Sequence, residues 1–313
     1  MFRSSAMRRM ALTVVVLIML AALGLPFAGA QQGGEARTIV DFVGRQVTLE
    51  APPQRIVGMS ASISEMLFAI GAKPVGVTAG MDFPPEAASL PTFGTGYQPD
   101  LEALAALEPD LIVANAQLNM GILDKLEAIA PTIMVMTLKA SDVPHNVRLL
   151  GQATWHDTEA EYLARAYDGY LNMAAQIGAL HAENGPSILI IVGTLDQPNY
   201  GKSETYLGDM VKRLGATNIA DGEADAGPFP GYAQLSIEAI VDADPDYIFT
   251  VTRGAPTPMP ESMASDPIWS SLSAFKNGHV YELDNRLFVE SPGPRFVEAM
   301  AQLVEIFYGQ GMN

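Results

Sequence analysis

Short apolar runs bounded by Pro or Gly recur along the first half of the chain: Arg55-Ile-Val-Gly, Pro74-Val-Gly-Val, Leu111-Ile-Val-Ala and Ile133-Met-Val-Met. Runs this short, β-branched and without polar alternation predict parallel strands buried on both faces. Between them the apolar positions return every three or four residues, predicting helices from Ser64 to Ile70 with a stop at Gly71, from Leu101 to Leu107 and from Met120 to Ile129. Strand and helix alternate, so this half reads as an α/β lobe.

The second half repeats the scheme, with strands predicted from Ser187 to Val192, Tyr247 to Val251 and His279 to Glu282. Helices follow from Thr205 to Leu214, Ile237 to Val241 and Phe296 to Tyr308. Two segments match closely: GYQPDLEALAALEPDLIVA from Gly96 and GYAQLSIEAIVDADPDYIF from Gly231. Glu102 and Glu238 lie 136 residues apart, as do Pro109-Asp110 and Pro245-Asp246. Gly71-Ala72 and Gly215-Ala216 close the first helix of each half, where Gly suits a left-handed cap. Such internal repetition predicts two related lobes with a cleft between them, a favoured place for a ligand.

Between the halves, residues 157 to 184 hold no Pro. Leu163, Ala166, Tyr167, Tyr170, Ala174, Ile177 and Leu180 mark one apolar face of a single helix. At ~1.5 Å per residue such a helix is roughly 40 Å long, enough to span both lobes as a stiff spine. The plainer alternative is a surface helix of one lobe. The expected organisation is a signal peptide at 1–30, an N-terminal lobe at 38–140, a linker with the spine at 141–185 and a C-terminal lobe at 186–313.

The first thirty residues stand apart from that pattern. Arg3, Arg8 and Arg9, an apolar run from Ala11 to Leu25 and the small residues Ala28-Gly29-Ala30 read as a secretory signal peptide. The chain has no cysteine, which excludes disulfides, thiolate metal sites and a lipid-modified cysteine anchor. Free residence in a periplasm is the expectation. Removing the signal moves the net charge from −17 to about −20, and no basic run offsets it, so nucleic acid is not an expected partner.

The segments PPQRIVGMSASISEMLFAIGAKPVGVT (from Pro52), LEALAALEPDLIVA, YLGDMVKRLGATNIA (from Tyr206) and SPGPRFVEAM (from Ser291) resemble the periplasmic binding proteins of ABC importers for iron-siderophores, haem and cobalamin. The resemblance covers nearly the whole mature chain. It implies two Rossmann-like lobes with central, mainly parallel sheets, joined by one long spine helix, with the ligand cleft between them. It also implies a monomer that captures a small-molecule metal chelate, ferric siderophore before haem or cobalamin, and hands it to a permease and ATPase complex. No cofactor is expected beyond iron in the cargo. In such proteins a surface Glu on each lobe docks onto permease arginines, and Glu102 and Glu238 stand at those positions. A Glu in a first helical turn also simply favours the macrodipole.

Cleft residues are expected where strands give way to helices. Met59, Ser60, Ser62 and Ser64 open a helix, and the serines serve equally well as ordinary N-caps. Met81, Asp82 and Phe83 follow a strand. Tyr97, Tyr200 and Tyr232 offer aromatic rings, with packing as the alternative. Arg253, Arg286 and Arg295 are the local cations that an acidic protein needs to hold an anionic chelate, although Arg295 could instead brace the last helix. The resemblance makes Tyr97 and Tyr232 iron ligands or stacking groups if the cargo is haem.

Other classes fit less well. His145, His156, His181 and His279 are scattered without metal-site spacing. No Gly-x-Ser-x-Gly, His-Glu-x-x-His or Gly-x-Gly-x-x-Gly motif follows a strand, and the phosphate-loop echo at Gly201-Lys202-Ser203 fails because Asp196 stands where Gly is required. An enzyme is therefore not expected.

Overall fold

An antiparallel hairpin, β1 (Arg37–Val40) with β2 (Gln46–Leu49), leads the chain in a computed structural model that describes residues 35–309 apart from 182, 184, 228 and 229. The signal segment lies outside the described residues. The hairpin was not expected, because a strand with one wet face alternates rather than forming a continuous apolar run. Here Ile39, Val47 and Leu49 turn into the core while their neighbours face outward.

The first lobe follows with β3 (Ile56–Gly58), α1 (Ala61–Ala69), α2 (Leu101–Ala106), β4 (Leu111–Asn115) and β5 (Thr132–Val135). Its three strands form a parallel sheet in the order β3-β4-β5. Two expectations are corrected. The run from Pro74 to Val77 makes only the single bridges Val57 to Gly76 and Val77 to Thr92. Pro74 has no N–H to donate and Gly76 no side chain to pack, which weakens a strand at both points. The helix expected from Met120 to Ile129 is divided into a 3-10 turn, Met120–Ile122, and a short helix, Leu123–Glu127.

The segment expected to be linker carries two helices, α3 (Asp142–Thr154) and α4 (Asp157–His181), the second being the spine. They meet so closely that a Cβ on Gly151 would lie 2.2 Å from the Ala160 Cβ. The buried stripe of α4 runs through Ala160, Ala164, Tyr167, Leu171, Ala174 and Gly178. It is richer in small residues than the sequence pattern indicated, and Leu180, assigned to that face, is 83% exposed. Small side chains let neighbouring backbones approach, so the seam of closest packing differs from the stripe of greatest hydrophobicity.

In the second lobe come β6 (Ser187–Gly193), β7 (Pro198–Gly201), α5 (Tyr206–Arg213), β8 (Thr217–Asn218), β9 (Tyr232–Ala233), α6 (Ile237–Ala243), β10 (Tyr247–Thr252), β11 (Val280–Glu282) and α7 (Phe296–Tyr308). The sheet order is β11-β10-β6-β7-β9, with β8 also on β6. The pairs β11-β10, β10-β6 and β6-β8 are parallel, whereas β7 and β9 add an antiparallel edge.

The sequence repeat is a structural repeat at the level of hydrogen bonds. Asp110, just before β4, accepts the N–H groups of Gln54 and Arg55 at 2.7 and 2.8 Å and so fixes the entry to β3. Asp246, just before β10, accepts the N–H and hydroxyl of Ser187 at 2.8 Å each and fixes the entry to β6. The residues before the two prolines, Glu108 and Asp244, both adopt left-handed backbone at φ 45° and 40°. Proline disfavours a right-handed helical conformation for the residue before it, and at both places the chain leaves its helix through one left-handed residue. The Gly-Ala caps also coincide: the N–H of Ala72 reaches the carbonyl of Leu67 at 2.9 Å, and that of Ala216 reaches Val211 at 3.1 Å. This wide bond past a left-handed glycine closes both helices.

Candidate functional site

The repeated Gly-Tyr pairs sit at equivalent places. A Cβ on Gly96 would lie 3.0 Å from the Met59 carbonyl oxygen, and one on Gly231 would lie 3.1 Å from the Thr205 side chain. In each lobe, therefore, a glycine lets the loop press against the start of the first helix, which delivers the following tyrosine to the space between the lobes. Asn119 holds the first of these loops by donating to the Gly96 carbonyl at 3.0 Å. Tyr97 is 60% exposed and Tyr232 half-buried, and both line one cleft. Burial pushes the Tyr232 phenol up, against the opposing pull of Arg253.

That cleft has a volume of about 630 Å³ and draws its walls from both lobes. The structure brings Ser60, Ser62, Met81, Phe83, Tyr97 and Tyr232 to its surface, together with Arg253, Arg286 and Arg295. Two further residues fall elsewhere. Met59 is wholly buried in the apolar core of the first lobe, and Tyr200, 4% exposed, packs in that of the second. For Tyr200 the alternation of β7 accounts for this, since the preceding Asn199 lines the cleft, whereas Met59 packs into the core just past the end of β3. Ser64 is likewise turned inward, donating to the Gly58 carbonyl at 3.1 Å.

Ser60 is the N-cap of α1, its hydroxyl accepting from the Ile63 N–H at 3.3 Å and pairing with the Ser62 hydroxyl at 3.0 Å. The opposing lobe supplies the cations, and each is partnered by a carboxylate. Arg253 faces Glu290 at 3.5 Å, Arg295 reaches Glu298 at 3.1 Å, and Arg286 pairs with Asp82 across the cleft. Arg295 also lies 4.8 Å from the centre of the Phe83 ring. Two arginines of the second lobe thus touch two consecutive residues of the first. With hydroxyls and amides on one wall and arginines on the other, the cleft can hold an anion that exchanges partners with these carboxylates.

Glu65 was missed by sequence reasoning. It lines the cleft yet is only 5% exposed, and its Oε2 has no hydrogen-bond partner among the described residues. Burial pushes its carboxyl up to about 8; Arg295 opposes this, and Glu298 and Asp82 reinforce it. The signal was a lone carboxylate in the apolar sequence of α1, ASISEMLFA.

Glu102 and Glu238 point elsewhere. Both are exposed at the second position of a short helix, α2 capped by Asp100 and α6 by Ser236, and neither lines the cleft. Among the described residues no helix is long and apolar enough to cross a membrane.

A family model described as "Periplasmic binding protein" matches residues 56–287. The chain is 25% identical over 291 residues to the Fe(3+)-citrate-binding protein YfmC of Bacillus subtilis (strain 168), covering 88% of this chain and 87% of that one. It is 27% identical over 288 residues to the Fe(3+) dicitrate-binding periplasmic protein FecB of Escherichia coli (strain K12), covering 89% and 92%. The fold matches that of Staphylococcus aureus SirA, solved with staphyloferrin B, at a TM-score of 0.71 and 23% identity over 86% of this chain and 98% of the other.

Proposed function

Because the chain belongs to the periplasmic binding protein family, we propose that it is the exported binding component of an ABC importer, carrying a ferric chelate of the siderophore type to a membrane permease and its ATPase. One observation carries the reading: a single cleft with hydroxyls from one lobe and Arg253, Arg286 and Arg295 from the other, suited to the oxygen-rich, anionic surface of a chelated ferric ion. In this reading the protein grips the chelate without a metal ligand or cofactor of its own and catalyses no reaction.

Glu102 and Glu238, one on each lobe and outside the cleft, serve as docking carboxylates for permease arginines. The absence of cysteine supports free residence in the periplasm after removal of residues 1–30, and the protein acts as a monomer.

The cleft-facing pair Tyr97 and Tyr232 favours haem as the second reading, with the phenols as iron ligands or stacking groups. Cobalamin comes third. The test is the absorption spectrum of protein isolated from its native source, with melting curves taken in ferric citrate, haemin and cyanocobalamin. A broad charge-transfer band and a melting shift with ferric citrate are expected. A Soret band would overturn the siderophore reading in favour of haem, and turnover of a bound compound would overturn the transport reading altogether.

A further inference from the structure

Glu65 stands where the two lobes come together at the floor of the cleft. It projects from α1, whose residue Ser62 is so close to the second lobe that a Cβ on Gly293 would lie 3.3 Å from the Ser62 carbonyl oxygen. The Ser291 side chain, from the opposite lobe, is near enough to the carboxyl to favour its ionised form slightly, against the larger effect of burial. The Tyr206 hydroxyl, also from that lobe, is a second buried polar atom with no partner among the described residues, and its residue lines the same cleft.

Charged and titratable groups face Glu65 from both lobes and from the spine. Arg295, just before α7, is the neighbouring cation, but it already bonds Glu298 and covers the Phe83 ring. Glu298 on α7 and Asp82 in the loop after Gly80 are like charges, Asp82 being paired with Arg286. Tyr167 on the spine and Tyr206 on α5 are both held neutral by burial, with the Glu65 charge acting in the same direction. An ionised Glu65 would therefore face two carboxylates and two neutral phenols with a single, shared cation. A buried carboxyl in such surroundings favours its uncharged form, and only that form carries an O–H to donate.

We propose that Glu65 is a specificity-determining residue of the cleft: as a neutral carboxyl it offers a hydrogen bond from the cleft floor to an anionic oxygen of the cargo, and its ionisation turns that floor against the same cargo. The proposal rests on the reading of the protein as a carrier of anionic chelates. It makes capture proton-linked, tight below neutrality and weakening in alkali.

The experiment compares ferric citrate binding by wild type, Glu65→Gln and Glu65→Leu from pH 6 to pH 9.5, using affinity ratios at each pH so that changes in the probe's own speciation cancel. Gln keeps a neutral donor and Leu removes it. The wild-type affinity relative to Glu65→Gln is expected to hold near pH 6 and to fall towards tenfold per pH unit above about pH 8, while Glu65→Leu binds more weakly at acidic and neutral pH. A constant wild-type to Glu65→Gln ratio, or Glu65→Leu binding as tightly as wild type at pH 6, overturns the proposal. A second measurement needs no cargo: in protein labelled with 13C at glutamate carboxyls, one resonance should titrate near pH 8 and be missing from Glu65→Gln. Failure of the wild type to bind ferric citrate at any pH removes the functional reading, and the role of Glu65 with it. The carboxyl titration still shows separately whether Glu65 is neutral at pH 7, and its absence overturns the proposal whatever binds.

Discussion

The spine helix contains two glycines, Gly169 and Gly178, that should respond oppositely to the same substitution. At Gly169 an added Cβ meets nothing within 4 Å, so Gly169→Ala should only remove backbone freedom from the unfolded chain and stabilise by ~0.5–1 kcal/mol. At Gly178 the added Cβ would lie 2.2 Å from the Arg213 carbonyl oxygen, 2.7 Å from the Gly215 nitrogen and 2.8 Å from the Leu214 carbonyl carbon. All three are backbone atoms at the end of α5, so no side chain can swing away, and the spine must shift by roughly an ångström to restore ordinary contact. Overpacking of this kind typically costs about 1–3 kcal/mol, and the rigid partners favour the upper end. Set against the same helix-propensity gain, the net expectation for Gly178→Ala is a loss of about 2 kcal/mol. The two variants should therefore differ by about 3 kcal/mol, or roughly 6–12 °C in melting temperature at 2–4 °C per kcal/mol. Urea unfolding read by far-ultraviolet circular dichroism gives the free energies, and calorimetry the temperatures. If Gly178→Ala proves as stable as Gly169→Ala, the close seating of the spine on the second lobe is wrong.

Three further outcomes are expected. Burial pushes the folded Glu65 carboxyl up to about 8 from its ordinary value of 4.5, so the folded state binds the extra proton between those values and stability falls as pH rises through that window. The slope should approach ~1.4 kcal/mol per pH unit, and Glu65→Gln should flatten it in urea titrations at pH 5 and pH 8. Asp110→Ala and Asp246→Ala each strip two hydrogen bonds from a strand entry, for a loss of about 1.5–3 kcal/mol each. The two losses should add in the double variant because the sites share no partner, whereas strong non-additivity would contradict their equivalence as separate clamps. Glu102→Ala with Glu238→Ala should abolish uptake in cells while leaving ferric citrate affinity within twofold of wild type, and a loss of affinity in the purified variant would refute their assignment to docking.

Much of this structure was legible because its signals are local. The helix expected from Phe296 to Tyr308 has those bounds in the structure, and the Gly-Ala caps and the Gly-Tyr, Glu and Pro-Asp repeats mark turns that a few neighbouring residues determine. Less legible were features decided across the sheet or between the lobes. The pairing of β7 and β9 rests on partners that periodicity does not reveal. Met59 and Tyr200 sit beside cleft residues in sequence but face the core; for Tyr200, on β7, one step along the strand reverses the side-chain direction. Glu65 escaped notice because its neighbours in space, Ser291, Arg295 and Glu298, are more than two hundred residues away along the chain.

The spine also bears on how the molecule comes apart. Its buried stripe belongs to one continuous apolar cluster that includes Ile63 and Leu111 of the first lobe, Tyr167 and Leu171 of the spine, and Phe249 and Leu303 of the second. An ordinary tether would let two duplicated halves melt one after the other. A helix that is shared interior for both halves leaves neither able to lose its order while the other keeps a dry surface, so a single calorimetric transition with equal calorimetric and van't Hoff enthalpies is expected. The two lobes thus repeat one architecture around a shared interior.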